Sequence, residues 1–114
     1  MTRSFAYAAF SSVDRCCADE SGTDRGIDRK GLIAWAQAWQ AAATSQFAWS
    51  YREAMAARPD LLPSPTDSQT LLDAYLLEKA LYELLYELDN RPSWVWIPIT
   101  SILELWDSAS RNSI

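Results

Sequence analysis

The segment from Leu77 to Trp96, LEKALYELLYELDNRPSWVW, constrains this chain more than any other: it spells one helix with two unlike faces and an abrupt stop. At about 100° per residue, Leu77, Leu81, Leu84 and Leu88 fall in one narrow stripe, the spacing of a helical seam. That stripe predicts the buried anchor of the helix. Roughly half a circle away lie Tyr75, Lys79, Tyr82, Glu83, Tyr86 and Asn90. A phenol joins an apolar ring to a hydroxyl that donates and accepts, which suits sugar rings with their apolar patches and hydroxyl rims. The row reads either as a carbohydrate contact or as tyrosines packed on a neighbouring helix with their hydroxyls in water. Glu83 and Glu87 could form a carboxylate pair for acid and base work, but the more economical expectation is a pair of helix-surface glutamates near Lys79.

The rest of the chain predicts an all-α class, with about four helices and no β-hairpin or internal repeat. A first helix over about Arg3 to Ala18 carries Phe5, Ala9, Ser12 and Cys16 on one side. Residues 19–30, DESGTDRGIDRK, gather charge and two glycines with almost no apolar residue, so a mobile loop is expected there. From about Arg29 to Arg58 an alanine-rich helix repeats Trp35, Trp39, Ala42, Gln46 and Trp49 at near-heptad spacing, and its three indoles call for a partner. Pro59 ends it, and Ser68 or Asp67 is the expected cap of the third helix, which makes the second and third helices a long antiparallel pair. Asn90, Arg91 and Pro92 stop that helix, and Pro98 opens a last one through about Ser108.

With 114 residues, 49% of them apolar, the chain is long enough for one small core, so residues 1–114 are expected to form a single unit. The net charge of −5 and the scattered basic residues argue against nucleic acid or an anionic membrane as partner. No apolar run approaches the ~20 residues needed to cross a bilayer, and FAYAAF is shorter than the apolar region of a signal peptide, which predicts a cytoplasmic protein. Cys16 and Cys17 are adjacent, with no second pair, and form neither a disulfide framework nor a zinc site. The absence of histidine removes a histidine base, a Ser/His triad, a Cys/His dyad and any histidine metal site. Gly26 and Gly31 have the gap of a phosphate loop, but Leu32 and Ile33 stand where its Lys and Ser/Thr belong. Asp19, Glu20, Asp24 and Asp28 lack the ligand order of an EF-hand and read as a solvated acidic loop. No catalytic residue and no metal ligand emerges.

LLEKALYELLYELDNRPSWVWIPI resembles the C-terminal signature of bacterial maltokinases, including those fused to trehalose synthase, and RSFAYAA near the start resembles their first helix of this region. The likeness runs in order from Arg3 to about Leu105 and is closest in the third helix. It departs from the family's pattern at Ala6, Asp89, Ser93 and Thr100, and keeps Lys79, Tyr82, Glu83, Tyr86, Glu87, Asn90, Arg91, Pro92, Trp94, Ile97 and Pro98. The resemblance implies the end of the C-lobe of a kinase-like fold, related to aminoglycoside phosphotransferases, in an enzyme that uses ATP and Mg2+ to phosphorylate maltose at its anomeric hydroxyl, in trehalose and glycogen metabolism. It implies that Lys79, Tyr82 and Tyr86 face maltose or a related glucoside, with Glu83, Asn90 and Arg91 as further sugar-contact candidates. In that family the nucleotide lobe, the phosphate-binding lysine, the catalytic aspartate and the metal carboxylates all lie upstream of the matched segment. The chain is thus expected to be a split product, a misplaced start or a remnant, inactive alone and holding no cofactor itself. Its expected partners are an upstream maltokinase part and trehalose synthase, with self-association through exposed indoles. The alternative is a free-standing helical interaction or oligomerisation module without catalysis.

Overall fold

The computed structural model describes residues 1–18 and 28–112, and the chain is all-α, with four helices and, among the described residues, no strand. Helix α1 spans Thr2–Ala18, α2 Arg29–Met55, α3 Pro65–Asn90 and α4 Trp96–Asn112, with single 3-10 turns at Pro59–Leu61 and Pro92–Trp94. Most of the expected connection at 19–30, with Asp19, Glu20, Asp24 and Gly26, lies outside the described residues. The chain divides into two packing units, Met1–Ala57 and Arg58–Ile114.

The first unit is α1 packed on α2. Arg3, Ala6, Ala9, Phe10 and Val13 form the buried face of α1, a 3-4 spacing centred away from the predicted Phe5–Cys16 line. Phe5 sits at the edge of that face and meets Trp39 and Phe47 edge-on, with ring centroids 6.2 and 6.0 Å apart. Asp14, two turns further on, meets Arg29 at 2.9 Å. Contacts therefore step backward along α1 as they step forward along α2, so the two run antiparallel. The Lys30 backbone N–H donates to the Asp28 side chain, which caps α2. Gly31 fits there because a Cβ would come within 3.1 Å of the capping carboxylate. Ala36 is the one buried residue that α2 contributes, and the indole stripe is on the surface, with Trp35 75% exposed.

The second unit pairs α3 with α4. Ser64, not Ser68 or Asp67, caps α3: its hydroxyl accepts from the Asp67 N–H at 3.1 Å and donates to the Asp67 carboxylate at 2.7 Å, with Pro65 in the first helical turn. Burial runs back along α3 from Glu87 to Ala80 and half-buried Leu76, and forward along α4 from Ile97 through Ser101 to half-buried Leu105, so these helices also run antiparallel. The pairings that build the two cores are thus α1 with α2 and α3 with α4. Helix α4 begins at Trp96, and Pro98 lies in its first turn, where its missing N–H costs nothing and its ring is fully buried.

The leucine seam is the main correction. Leu77, Leu81 and Leu88 are exposed and Leu84 is half-buried, whereas the line Leu76–Ala80–Glu83–Glu87, about a quarter-turn away, faces α4. Alanine at position 80 wins the interface because its small side chain lets the helix backbones approach closely.

Two measurements check these local arrangements. Ser64→Ala should cost about 1 kcal/mol in denaturant unfolding, the usual loss of a hydroxyl cap, while Ser68→Ala should cost less; the reverse ranking would place the start of α3 a turn later. Arg58 donates to both carboxylate oxygens of Asp60 at 3.1 and 3.0 Å and holds that carboxyl below its ordinary value. A depressed carboxyl stabilises the fold above its unfolded pKa, and the contribution is lost as pH falls through the folded value. NMR titration should show the Asp60 midpoint rising in Arg58→Ala; an unmoved midpoint would contradict the pairing.

Candidate functional site

The six candidate residues sit around the last four turns of α3 and its C-cap, and the structure sorts them into two groups. Lys79, Tyr82 and Tyr86 occupy the exposed flank opposite the leucines, with Tyr75 one turn earlier on the same side. The Lys79 ammonium lies 4.9 Å from the centre of the Tyr82 ring, a cation–π pair that orders the long side chain and leaves the phenol hydroxyl at the surface. From Lys79 to Tyr86 the helix rises roughly 10 Å, a span on the scale of two pyranose rings.

Arg91, Asn90 and Glu83 play other parts. The Asn90 amide donates to the Tyr86 carbonyl at 2.9 Å, tying the last turn of the helix. Glu83 is half-buried at the margin of the packed face rather than on the open flank. Arg91 is the C-cap of α3: its backbone N–H donates to the Glu87 carbonyl at 2.8 Å, while Nε and an Nη donate to the two Glu87 carboxylate oxygens at 2.9 and 2.7 Å. Its guanidinium lies 4.4 Å from the Trp94 ring centre and 5.6 Å from that of Tyr86. The cation is therefore engaged on one edge by a carboxylate and flanked by two aromatic rings.

Glu87 is where the sequence was misread. Expected on the helix surface near Lys79, it is 1% exposed and lies on the line that faces α4. A buried carboxylate is costly unless paired, and the bidentate guanidinium meets that need. The i, i+4 spacing of Glu87 and Arg91, followed by Pro92 and Trp94, was the available signal: a salt bridge at a helix end, with a tryptophan placed by the proline turn to stack on it.

A concavity, missed by sequence reasoning apart from the indole stripe, lies within the first unit. About 340 Å³ of space opens between α1 and α2, lined by Ala8, Ser12, Cys16, Leu32, Trp35 and Trp39 among others. It is almost wholly apolar, and neither Cys16 nor Cys17 is in a disulfide. Among the described residues, no three His, Cys, Asp or Glu side chains gather into a group that could hold a metal ion. Nor is any described helix long and apolar enough to cross a membrane. No protein-family model matches the sequence, and no solved structure matches this one.

Removing Arg91 tests the cluster. Arg91→Ala takes the guanidinium from a buried carboxylate and should cost about 2–3 kcal/mol in urea unfolding, toward the lower end for a buried pair because Arg91 is itself 45% exposed. Arg91→Lys should recover little, since an ammonium cannot make the two-pronged contact or stack on Trp94 as a plane. A cost under about 0.5 kcal/mol for Arg91→Ala would mean that the pair behaves as an ordinary surface bridge.

Proposed function

We propose that this chain is the acceptor-sugar-contacting helical part of a maltokinase-like phosphotransferase, the end of a kinase-like C-lobe, acting in the cytoplasm in trehalose and glycogen metabolism. The observation that carries the reading is the open Lys79–Tyr82–Tyr86 flank, ordered along one helix and clear of the packed face. Two exposed phenols and an ammonium at this spacing offer ring faces for the apolar patches of maltose or a related glucoside and donors for its hydroxyls. Tyr86 is braced by Arg91, so in this reading Arg91 holds the sugar wall in place rather than touching the sugar. The residues that carry the resemblance also support it, because Glu87, Arg91 and Trp94 cluster at the turn from α3 to α4 and Ile97 and Pro98 are buried just after it.

The reading gives this chain no phosphoryl transfer of its own. ATP and Mg2+ would belong to the nucleotide lobe and carboxylates of the remainder of the kinase, supplied by an upstream maltokinase part with or without trehalose synthase. Within this chain the derivable work is to orient the acceptor and shield it on one side.

The second reading is a free-standing helical interaction module without catalysis. The uncovered apolar side chains on α2, α3 and α4 favour it, since docking surfaces of this kind need no sugar.

The purified 114-residue chain with ATP, Mg2+ and maltose should yield no maltose 1-phosphate; product would refute the division of labour. In the assembled kinase, Tyr82→Phe or Tyr86→Phe should lower kcat/KM for maltose by about 10-fold or more, the scale of one lost hydrogen bond, with little change for ATP. Equal losses for both substrates would assign the tyrosines to packing and favour the module.

A further inference from the structure

We propose that the sugar-facing flank of α3 is longer than a disaccharide requires, and that Tyr75 extends it to take a third ring of a linear α-linked glucan. This inference rests on the maltose reading of Lys79, Tyr82 and Tyr86 and names a longer ligand for that same flank.

The phenols are in register. At about 100° per residue, Tyr75, Tyr82 and Tyr86 fall within a wedge of about 40° on the helix surface. All three are exposed, Tyr75 the most at 67%. The Lys79 ammonium is committed to Tyr82, 4.9 Å from its ring centre, and the Arg91 guanidinium lies 5.6 Å from that of Tyr86. Tyr75 is thus the most open phenol of the row, its ring accessible to a ligand.

The row is also long. From Lys79 to Tyr86 the helix rises roughly 10 Å, the scale of two sugar rings, whereas from Tyr75 to Tyr86 it rises roughly 16 Å. A maltose lying over Tyr82 and Tyr86 therefore leaves room for about one more ring at Tyr75. Covering a phenol face with the apolar patch of a sugar removes apolar area from water, so a third glucose gains affinity at that end.

Charge selects among polymers. Glu78 and Asp89, both exposed, border the row on one side, within roughly 60° of its midline, and Lys79 stands inside it. Carboxylates accept from sugar hydroxyls and an ammonium donates to them, so a neutral polyhydroxyl chain satisfies both. A polyanion would meet these carboxylates on a chain of net charge −5. An apolar helix would desolvate the charges and the phenol hydroxyls without pairing them. The strip favours a neutral glucan over either.

Titration of the full 114-residue chain, followed by the NMR signals of these tyrosine rings, tests the extension. Maltose should shift Tyr82 and Tyr86, and maltotriose should shift Tyr75 as well. Maltotriose should bind about tenfold more tightly than maltose, the factor that ~1.4 kcal/mol from one more ring contact gives. Tyr75→Ala should bring maltotriose down to the affinity of maltose and leave maltose unchanged, with helical circular dichroism intact because the position is exposed. Tyr75→Phe should keep most of the trimer's advantage, since the contact uses the ring. Maltose binding with no gain for maltotriose, or a gain that survives Tyr75→Ala, would overturn the extension and leave the disaccharide reading standing. If neither sugar moves these signals, the maltose reading falls and the extension with it.

Discussion

The carboxylate of Glu87 is the constraint on which the second unit depends. Burying it costs several kcal/mol of hydration, so the helix end must deliver a cation to it in a geometry that uses both oxygens. Arg91 does this with side chain and backbone together: the guanidinium grips the carboxylate while the same residue's N–H closes the last turn on the Glu87 carbonyl. Helix termination and charge neutralisation thus become one event. The chain then has one direction open to it, set by Pro92, and Trp94 lands against the free face of the guanidinium at 4.4 Å. Ile97 and Pro98 follow into the interior, which brings α4 back along α3.

The interior of each unit is thin. Among the described residues, Phe10 in the first unit and Ile97 in the second are the large apolar side chains most fully enclosed, beside Glu87 and Pro98, and alanines line much of the remaining contact. Small residues let helices approach closely but remove little apolar area from water, so each contributes modestly to stability. Among the described residues, many of the larger hydrophobic side chains, seven leucines and several indoles among them, point outward instead. Two-helix units of this size gain their stability most readily by covering such faces against something else.

Much of the architecture was legible from periodicity and punctuation. The helix class, the start of α2 at Arg29 and the stop of α3 at Asn90 all follow from patterns that depend on near neighbours alone. What was not legible is which side of each helix faces its partner. The leucines of α3 are the most hydrophobic stripe on that helix, and area alone would bury them; the preference of a paired carboxylate and a small alanine for the α4 contact reversed the choice. Likewise Ser64 and Ser68 are equally good caps on composition, and only Pro65 at the first turn, with Asp67 within reach of the Ser64 hydroxyl, decides between them. Tyr75, Lys79, Tyr82 and Tyr86 of the phenol row lie on an exposed flank, which spacing alone places half a turn from the leucines, whereas Glu83 of the same row is half-buried. The role of Arg91 was not legible, because a salt bridge across one turn and a ring stacked from the next element look, in sequence, like scattered polar residues.

The most direct examination of the Glu87–Arg91 corner is the Arg91 Nε–H resonance in a 15N-edited NMR spectrum of the chain. A proton held between a buried carboxylate and two aromatic rings should exchange slowly with water, lie away from the other arginine signals, and show cross-peaks to the Trp94 and Tyr86 ring protons. An Arg91 signal that exchanges as fast as those of exposed arginines, with no contact to either ring, would contradict the corner and with it the placement of everything built on it.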